Sequence, residues 1–148
     1  MDKICIYCGI RYNATRSDQL YCNKHCRYKD NHRGPFVLTL KKKWYDMIIS
    51  GKKTEEYREI KEYWDSRFTR LFGKYYNTND EKLDDGTIPT WLWSRQPRDI
   101  LFKNGYRKDS PSFTAECVIR EGFGKPEWGA DKDKRYFILE IKRIYRSN

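Results

Sequence analysis

Four cysteines near the N-terminus have the residue type and spacing of a metal centre. Cys5 and Cys8 are spaced C-x2-C and are followed by Gly9; Cys22 and Cys26 are spaced C-x3-C, with thirteen residues between the pairs. Zinc takes four tetrahedral thiolate or imidazole ligands, and two close pairs joined by a loop supply them. Gly9 suits the tight turn after the first pair. A helix beginning near Cys22 puts Cys22 and Cys26 on one face. A module of about 35 residues cannot build a stable core alone, so a structural zinc ion is the expected staple. Free structural thiols are the competing reading. His25 and His32 are reserve ligands. With four cysteines in place, both read as part of a basic helix surface beside Lys24, Arg27, Lys29 and Arg33.

A second set of chemical groups lies at residues 51–60, GKKTEEYREI. A strand that only built a core would not carry Lys53, Glu55, Glu56 and Arg58, so a polar pocket is expected here. Strand alternation over Lys53–Ile60 puts Thr54, Glu56, Arg58 and Ile60 on one face and Lys53, Glu55, Tyr57 and Glu59 on the other. One chemistry is binding: Arg58 and Lys53 hold a phosphate or a base edge, and Glu56 accepts from an amino group or fixes Arg58. The other is hydrolysis of RNA or a modified nucleoside. Glu56 then acts as general base on water or a ribose 2′-hydroxyl, Lys53 or Arg58 stabilises negative charge, and Tyr57 donates a proton. A solvated ladder of weak salt bridges is the plain structural alternative.

The elements that must position these groups follow from periodicity. Asn31–Pro35 reads as a linker, which separates a four-cysteine module at 1–33 from a second domain at 36–146. Phe36–Leu40 is a strand. Lys41–Ser50 is a helix with Trp44, Met47 and Ile48 on one face, stopped by Gly51. The next helix spans about Lys61 to Phe72, with Trp64, Phe68, Leu71 and Phe72 at helical spacing. Residues 73–97 are rich in turn formers and read as an irregular insertion. Trp91 and Trp93 lie within it, as packing residues or as base-stacking ones. Strands are expected at Asp99–Lys103, Ser112–Arg120 and Tyr136–Tyr145. Phe113, Ala115, Cys117 and Ile119 form one apolar face of the second, which makes Cys117 a core residue; Phe137, Leu139 and Ile141 form the inner face of the third. The fold class is α+β: a small, mostly antiparallel barrel flanked by helices and preceded by the zinc module.

Composition narrows the partners. Of 148 residues, 38% are hydrophobic, enough for a packed core, and the net charge is +10. Residues 1–35 hold seven Lys/Arg against three Asp/Glu, which makes the cysteine module the more basic part per residue. That excess favours polyanions, with RNA or a nucleotide-related ligand first and DNA second. No apolar run approaches the ~20 residues of a membrane span. The N-terminal MDKICIYCGIRY lacks a signal peptide's apolar region. A cytoplasmic location is expected, where cysteine pairs read as metal ligands before disulfides. A monomer is the default expectation.

With these elements placed, the chain resembles the ASCH superfamily, which has a PUA-like barrel. The resemblance lies in LTLKKKWYDMIISGKKTEEYRE, FKNGY, GKPEWGA and YFILEIKRI, which together span roughly residues 36–145. The CIYCG…LYCNKHCRYK pattern resembles short treble-clef-like fingers of bacterial and phage proteins. The resemblance implies a barrel with a cleft beside the GKKT turn and an RNA or nucleotide-related ligand. Lys52, Lys53, Thr54, Glu56, Arg58, Lys103, Asn104, Tyr106 and Trp128 are the ligand contacts it implies. Some members are enzymes. In the branch that deacetylates acetylated cytidine, the catalytic lysine matches Lys53 and the threonine nucleophile's position holds Glu56. Thr54 lies two residues earlier, so this chain departs from that branch at its nucleophile. A regulatory protein that binds a protein partner through the finger is the third reading.

Overall fold

The computed structural model describes residues 1–145; Arg146, the last residue of the expected second domain, lies outside them. In chain order the elements are β1 (Asp2–Ile4), β2 (Arg11–Asn13), α1 (Lys24–Asn31), β3 (Phe36–Thr39), α2 (Lys42–Ile49), β4 (Glu55–Glu59) and α3 (Glu62–Phe72). They continue with β5 (Lys74–Tyr76), β6 (Trp91–Trp93), β7 (Arg98–Lys103), β8 (Ser112–Phe123), a 3₁₀ turn (Pro126–Trp128) and β9 (Arg135–Ile144). They form two compact units. Met1–Gly34 and Lys61–Gln96 make the first; Pro35–Ile60 and Pro97 onward make the second.

The first unit is built on an antiparallel sheet in the order β2-β1-β5-β6. The cysteine module therefore gathers residues 61–96, which the linear reading gave to the second domain. The reason is pairing: β1 uses one edge for β2 and the other for β5, with Lys3 opposite Tyr75 and Ile4 opposite Lys74. Strands of three residues are not stable as an isolated hairpin and need this wider sheet. α3 buries Phe68, Leu71 and Phe72, and Trp64 stacks on Phe68 at 5.5 Å between ring centroids. Gly73, at φ +82°, ends α3, and a Cβ there would lie 2.8 Å from Ile6 Cγ2. Within the stretch 73–97, β5 and β6 pair as an antiparallel hairpin around a long loop. Buried Asn77 closes its long loop by donating from Nδ2 to the carbonyls of Glu81 and Pro89, both at 2.9 Å, while its Oδ1 accepts from Glu81 N.

The second unit is a mixed sheet in the order β3-β7-β8-β9-β4. β3 runs parallel to β7, and the other three pairings are antiparallel. The sheet curls into a half-barrel, with β3 and β4 at its two edges. An irregularity in β8 between Glu116 and Cys117 adds local twist. Phe113, Ala115, Cys117 and Ile119 are buried in alternation along β8. Burial pushes the Cys117 thiol up to about 12. β9 does not alternate: Tyr136, Phe137, Ile138 and Leu139 are all buried. As an interior strand it is covered on both faces, one by a cluster of Tyr57, Ala130, Tyr136 and Ile138 backed by Trp128.

Candidate functional site

The turn between β1 and β2 carries Cys5 and Cys8. Its backbone is set by Gly9 N donating to Cys5 O and Cys5 N donating to Ile10 O, both at 2.9 Å, with Gly9 at φ +77°. Cys22 and Cys26 flank the start of α1, where the Asn23 side chain caps the helix by accepting from Cys26 N at 2.9 Å. All four sulfurs lie within 4.8 Å of one another, so the set can hold a metal ion. Cys8–Cys22 and Cys22–Cys26 are both 3.7 Å apart. A disulfide would require about 2.05 Å. Four sulfurs at about 2.3 Å from a tetrahedral metal ion stand about 3.8 Å apart, close to these two separations. His25 and His32 are exposed and stand outside the set. Instead, His32 Nδ1 lies 2.7 Å from Tyr28 O, with the two rings tilted by 30° at 4.1 Å between centroids.

The four sulfurs are not electrostatically equal. Burial pushes the Cys22 thiol up to about 12, and burial raises Cys26 as well. At Cys5 burial acts in the same direction, but the backbone N–H groups of Cys8, Cys22 and Tyr7 outweigh it and hold the thiol at about 7. One sulfur is thus ready as a thiolate, and a metal ion would displace protons from the rest.

Beside this centre, Thr15, Arg16, Asp18, Gln19, Tyr21, Asn23, Lys24 and Arg27 line a cavity of ≈ 350 Å³. Three cations face it against one carboxylate, and Arg16, Lys24 and Arg27 are all exposed. Arg16 escapes sequence reasoning, because only the folded loop brings it to α1.

In the second unit, Lys53, Glu56 and Arg58 are brought together. Lys53 is 1% exposed and Glu56 4%. Lys53 Nζ donates to Glu56 Oε1 at 2.5 Å and to Glu55 O at 2.6 Å, and sits 5.3 Å from the ring centroids of both Trp44 and Tyr57. Arg58 Nη1 donates to Glu56 Oε2, and its Nη2 donates to Thr39 O at 3.0 Å. The alternation placed Lys53 opposite Glu56, and the structure corrects this. β4 begins only at Glu55, so Lys53 belongs to the preceding turn and turns inward, held by Lys53 N donating to Met47 O at 3.0 Å. Burial holds Lys53 below the usual ammonium range, against the opposing pull of Glu56. Both carboxylate oxygens of Glu56 are engaged by cations, which opposes its use as a general base.

Tyr57 lies on β4 between Glu56 and Arg58. Its hydroxyl donates to Glu55 Oε1 at 2.7 Å and accepts from Lys125 N at 3.0 Å. Glu55 continues to Arg120, and Arg120 to Glu140, at 2.8 and 2.9 Å. Sequence reasoning passed over Arg120, since nothing in its spacing reveals a partner 65 residues away. Trp128 is half-buried on the Tyr57 cluster with Lys125 4.3 Å from its ring centroid. Asn104 Nδ2 donates to Leu40 O, next to the Thr39 carbonyl that Arg58 uses. Lys103 reaches Arg107 O at 2.8 Å. Lys52 and Thr54 are exposed, and Tyr106 is 91% exposed. No family model, curated protein or solved structure matches this chain.

Proposed function

We propose that this protein binds RNA or a nucleotide-related ligand, with the basic groove beside a structural zinc site as the surface that meets phosphate. One observation carries this reading: three exposed cations and one carboxylate line a ≈ 350 Å³ cavity on a chain of net charge +10. Phosphates bind such surfaces by charge and counterion release. The four-sulfur geometry supports zinc as the ion held there. The Lys53–Glu56–Arg58 cluster, in a curled sheet whose sequence resembles ASCH proteins, is then one wall of a PUA-like cleft. Its buried ion pairs hold charged groups in fixed positions; such groups are costly to desolvate and serve positioning better than stability.

The test is the salt dependence of binding to a labelled single-stranded RNA. Affinity should fall steeply as salt rises. Replacing Arg16, Lys24 and Arg27 together by glutamine should reduce the logarithmic salt slope by about 2, because each phosphate neutralised on a single strand adds about 0.7 to it. An unchanged slope, or no binding by the wild-type protein at low salt, would refute the reading.

A further inference from the structure

The groove meets phosphates and does not explain the aromatic residues of the same unit. Sheet register places them on one face. Arg11 lies opposite Ile4, Ile4 opposite Lys74, and Lys74 opposite Trp93; one step along, Tyr76 lies opposite Trp91. Arg11, Ile4, Lys74, Tyr76, Trp91 and Trp93 therefore share a face, because directly paired residues point the same way. The other face carries Lys3, Tyr12 and Tyr75, and the 14–21 segment covers part of it. Buried Lys3 donates to the carbonyls of Ser17 and Gln19, and the Tyr12 hydroxyl donates to Gln19 O at 2.9 Å.

On the first face, cations and rings alternate. The Arg11 guanidinium lies 5.3 Å from the Tyr76 centroid and 5.6 Å from that of Trp91. Lys74 Nζ lies 4.3 Å from the Trp93 centroid, is held by Asp65 Oδ1 at 2.9 Å and has a side chain only 17% exposed, and Tyr76 meets Trp91 edge-on at 5.7 Å. Asp2 holds Arg11 at 2.7 Å, yet the Arg11 side chain is 59% exposed. Tyr76, Trp91 and Trp93 are half-buried, whereas Ile6, Phe68 and Phe72 of the same unit are sealed at 0–1% exposure. Two indoles on the edge strand β6 are spaced about 7 Å along it. That spacing suits bases splayed apart and not a continuous duplex stack.

We propose that this sheet face is a stacking platform for the bases of single-stranded nucleic acid. Flat rings interleaved with cations accept any base by its π-face, while the exposed Arg11 meets the backbone. Duplex bases are stacked on one another and do not present those faces. The proposal rests on the nucleic-acid reading above and assigns it a second surface, made of different residues.

The experiment compares a 12-nucleotide oligo(U), the corresponding oligo(dT) and a 12-base-pair duplex, by anisotropy and by quenching of tryptophan fluorescence. The wild-type protein should bind both single strands with quenching. Trp91→Ala should weaken single-strand binding about 10-fold and duplex binding less than twofold; Trp91→Phe should restore most of the loss. Arg11→Ala, at an exposed position, provides a second variant that keeps the fold and should also weaken single strands selectively. Equal oligo(U) and oligo(dT) affinities indicate base stacking alone, and a preference for oligo(U) adds 2′-hydroxyl contacts; the platform stands in both cases. Nucleic-acid binding by the wild-type protein without quenching, or with the same loss for duplex and single strand, would overturn the platform alone. No binding to any of the three would overturn the nucleic-acid reading as well.

Discussion

Arg58 on β4 donates from Nη2 to the carbonyl oxygen of Thr39 on β3 at 3.0 Å, joining the two edge strands of the half-barrel by a side chain. The same guanidinium engages Glu56 through Nη1. The guanidinium reaches these two acceptors from two separate nitrogens in a fixed plane, which the single nitrogen of an ammonium does not reproduce. Arg58→Lys should therefore lose one charge-assisted hydrogen bond, about 1.5–3 kcal/mol. Urea unfolding gives the stability change, and hydrogen exchange should show faster opening along β3.

Glu56 and Lys53 are coupled. Glu56→Gln leaves a buried ammonium without its counter-charge and should cost about 3–5 kcal/mol. Replacing both residues with apolar ones of similar size, Lys53→Met with Glu56→Leu, should cost clearly less than the single change. Chemical denaturation of the three proteins measures this. A double variant at least as unstable as Glu56→Gln would show that the pair is not coupled.

Stability should hold between about pH 5 and about pH 10 and fall outside that range. Burial works to raise the Glu140 carboxyl, but Lys142 and Arg120 outweigh it and hold it below its ordinary 4.5. Its contribution is present above 4.5 and is lost as pH falls through the folded value. Burial pushes the Tyr57 hydroxyl above its ordinary 10.0, with the Glu55 hydrogen bond adding to the rise. That contribution is full below 10.0 and is lost as pH rises further. Glu140→Gln should flatten the acid limb and Tyr57→Phe the alkaline limb, in thermal melts against pH.

Metal analysis should find one zinc ion per chain, and removal should unfold the β1–β2 turn and α1. Structural zinc contributes about 10–16 kcal/mol to the folding of small fingers. The chelated protein and Cys8→Ser should both lose helical signal and proton-exchange protection in residues 1–34. A metal-free protein with an unchanged thermal midpoint would reject the site.

Gly124 lies against Tyr57, since a Cβ there would stand 2.7 Å from Tyr57 Cζ and from Ala130 Cβ. The ring is fixed by its hydrogen bonds to Glu55 and Lys125, so it cannot give way cheaply. Gly124→Ala should cost about 1–3 kcal/mol by overpacking, read from the denaturation midpoint.

Local regularities were legible in the chain. The cysteine spacing, the apolar stripe of α3, Gly51 after α2 at φ +83° and the alternation in β8 all match the structure, because each depends on neighbours within a turn or a strand. The site was less legible. Lys53 turns toward Glu56 because the strand starts at Glu55, two residues later than the charge pattern implies, and strand alternation does not govern a residue outside the strand.

The sequence by itself determined the four-thiol set, the α+β character and the positive charge, which follow from residue type and short spacing. Only the tertiary structure decided that residues 61–96 join the cysteine module, that Arg58 reaches Thr39, and that Trp91 and Trp93 share a face with Arg11 and Lys74. These depend on which strand edges pair. Edge pairing is chosen by the packing of distant segments, and hydrophobic spacing along the chain does not encode it.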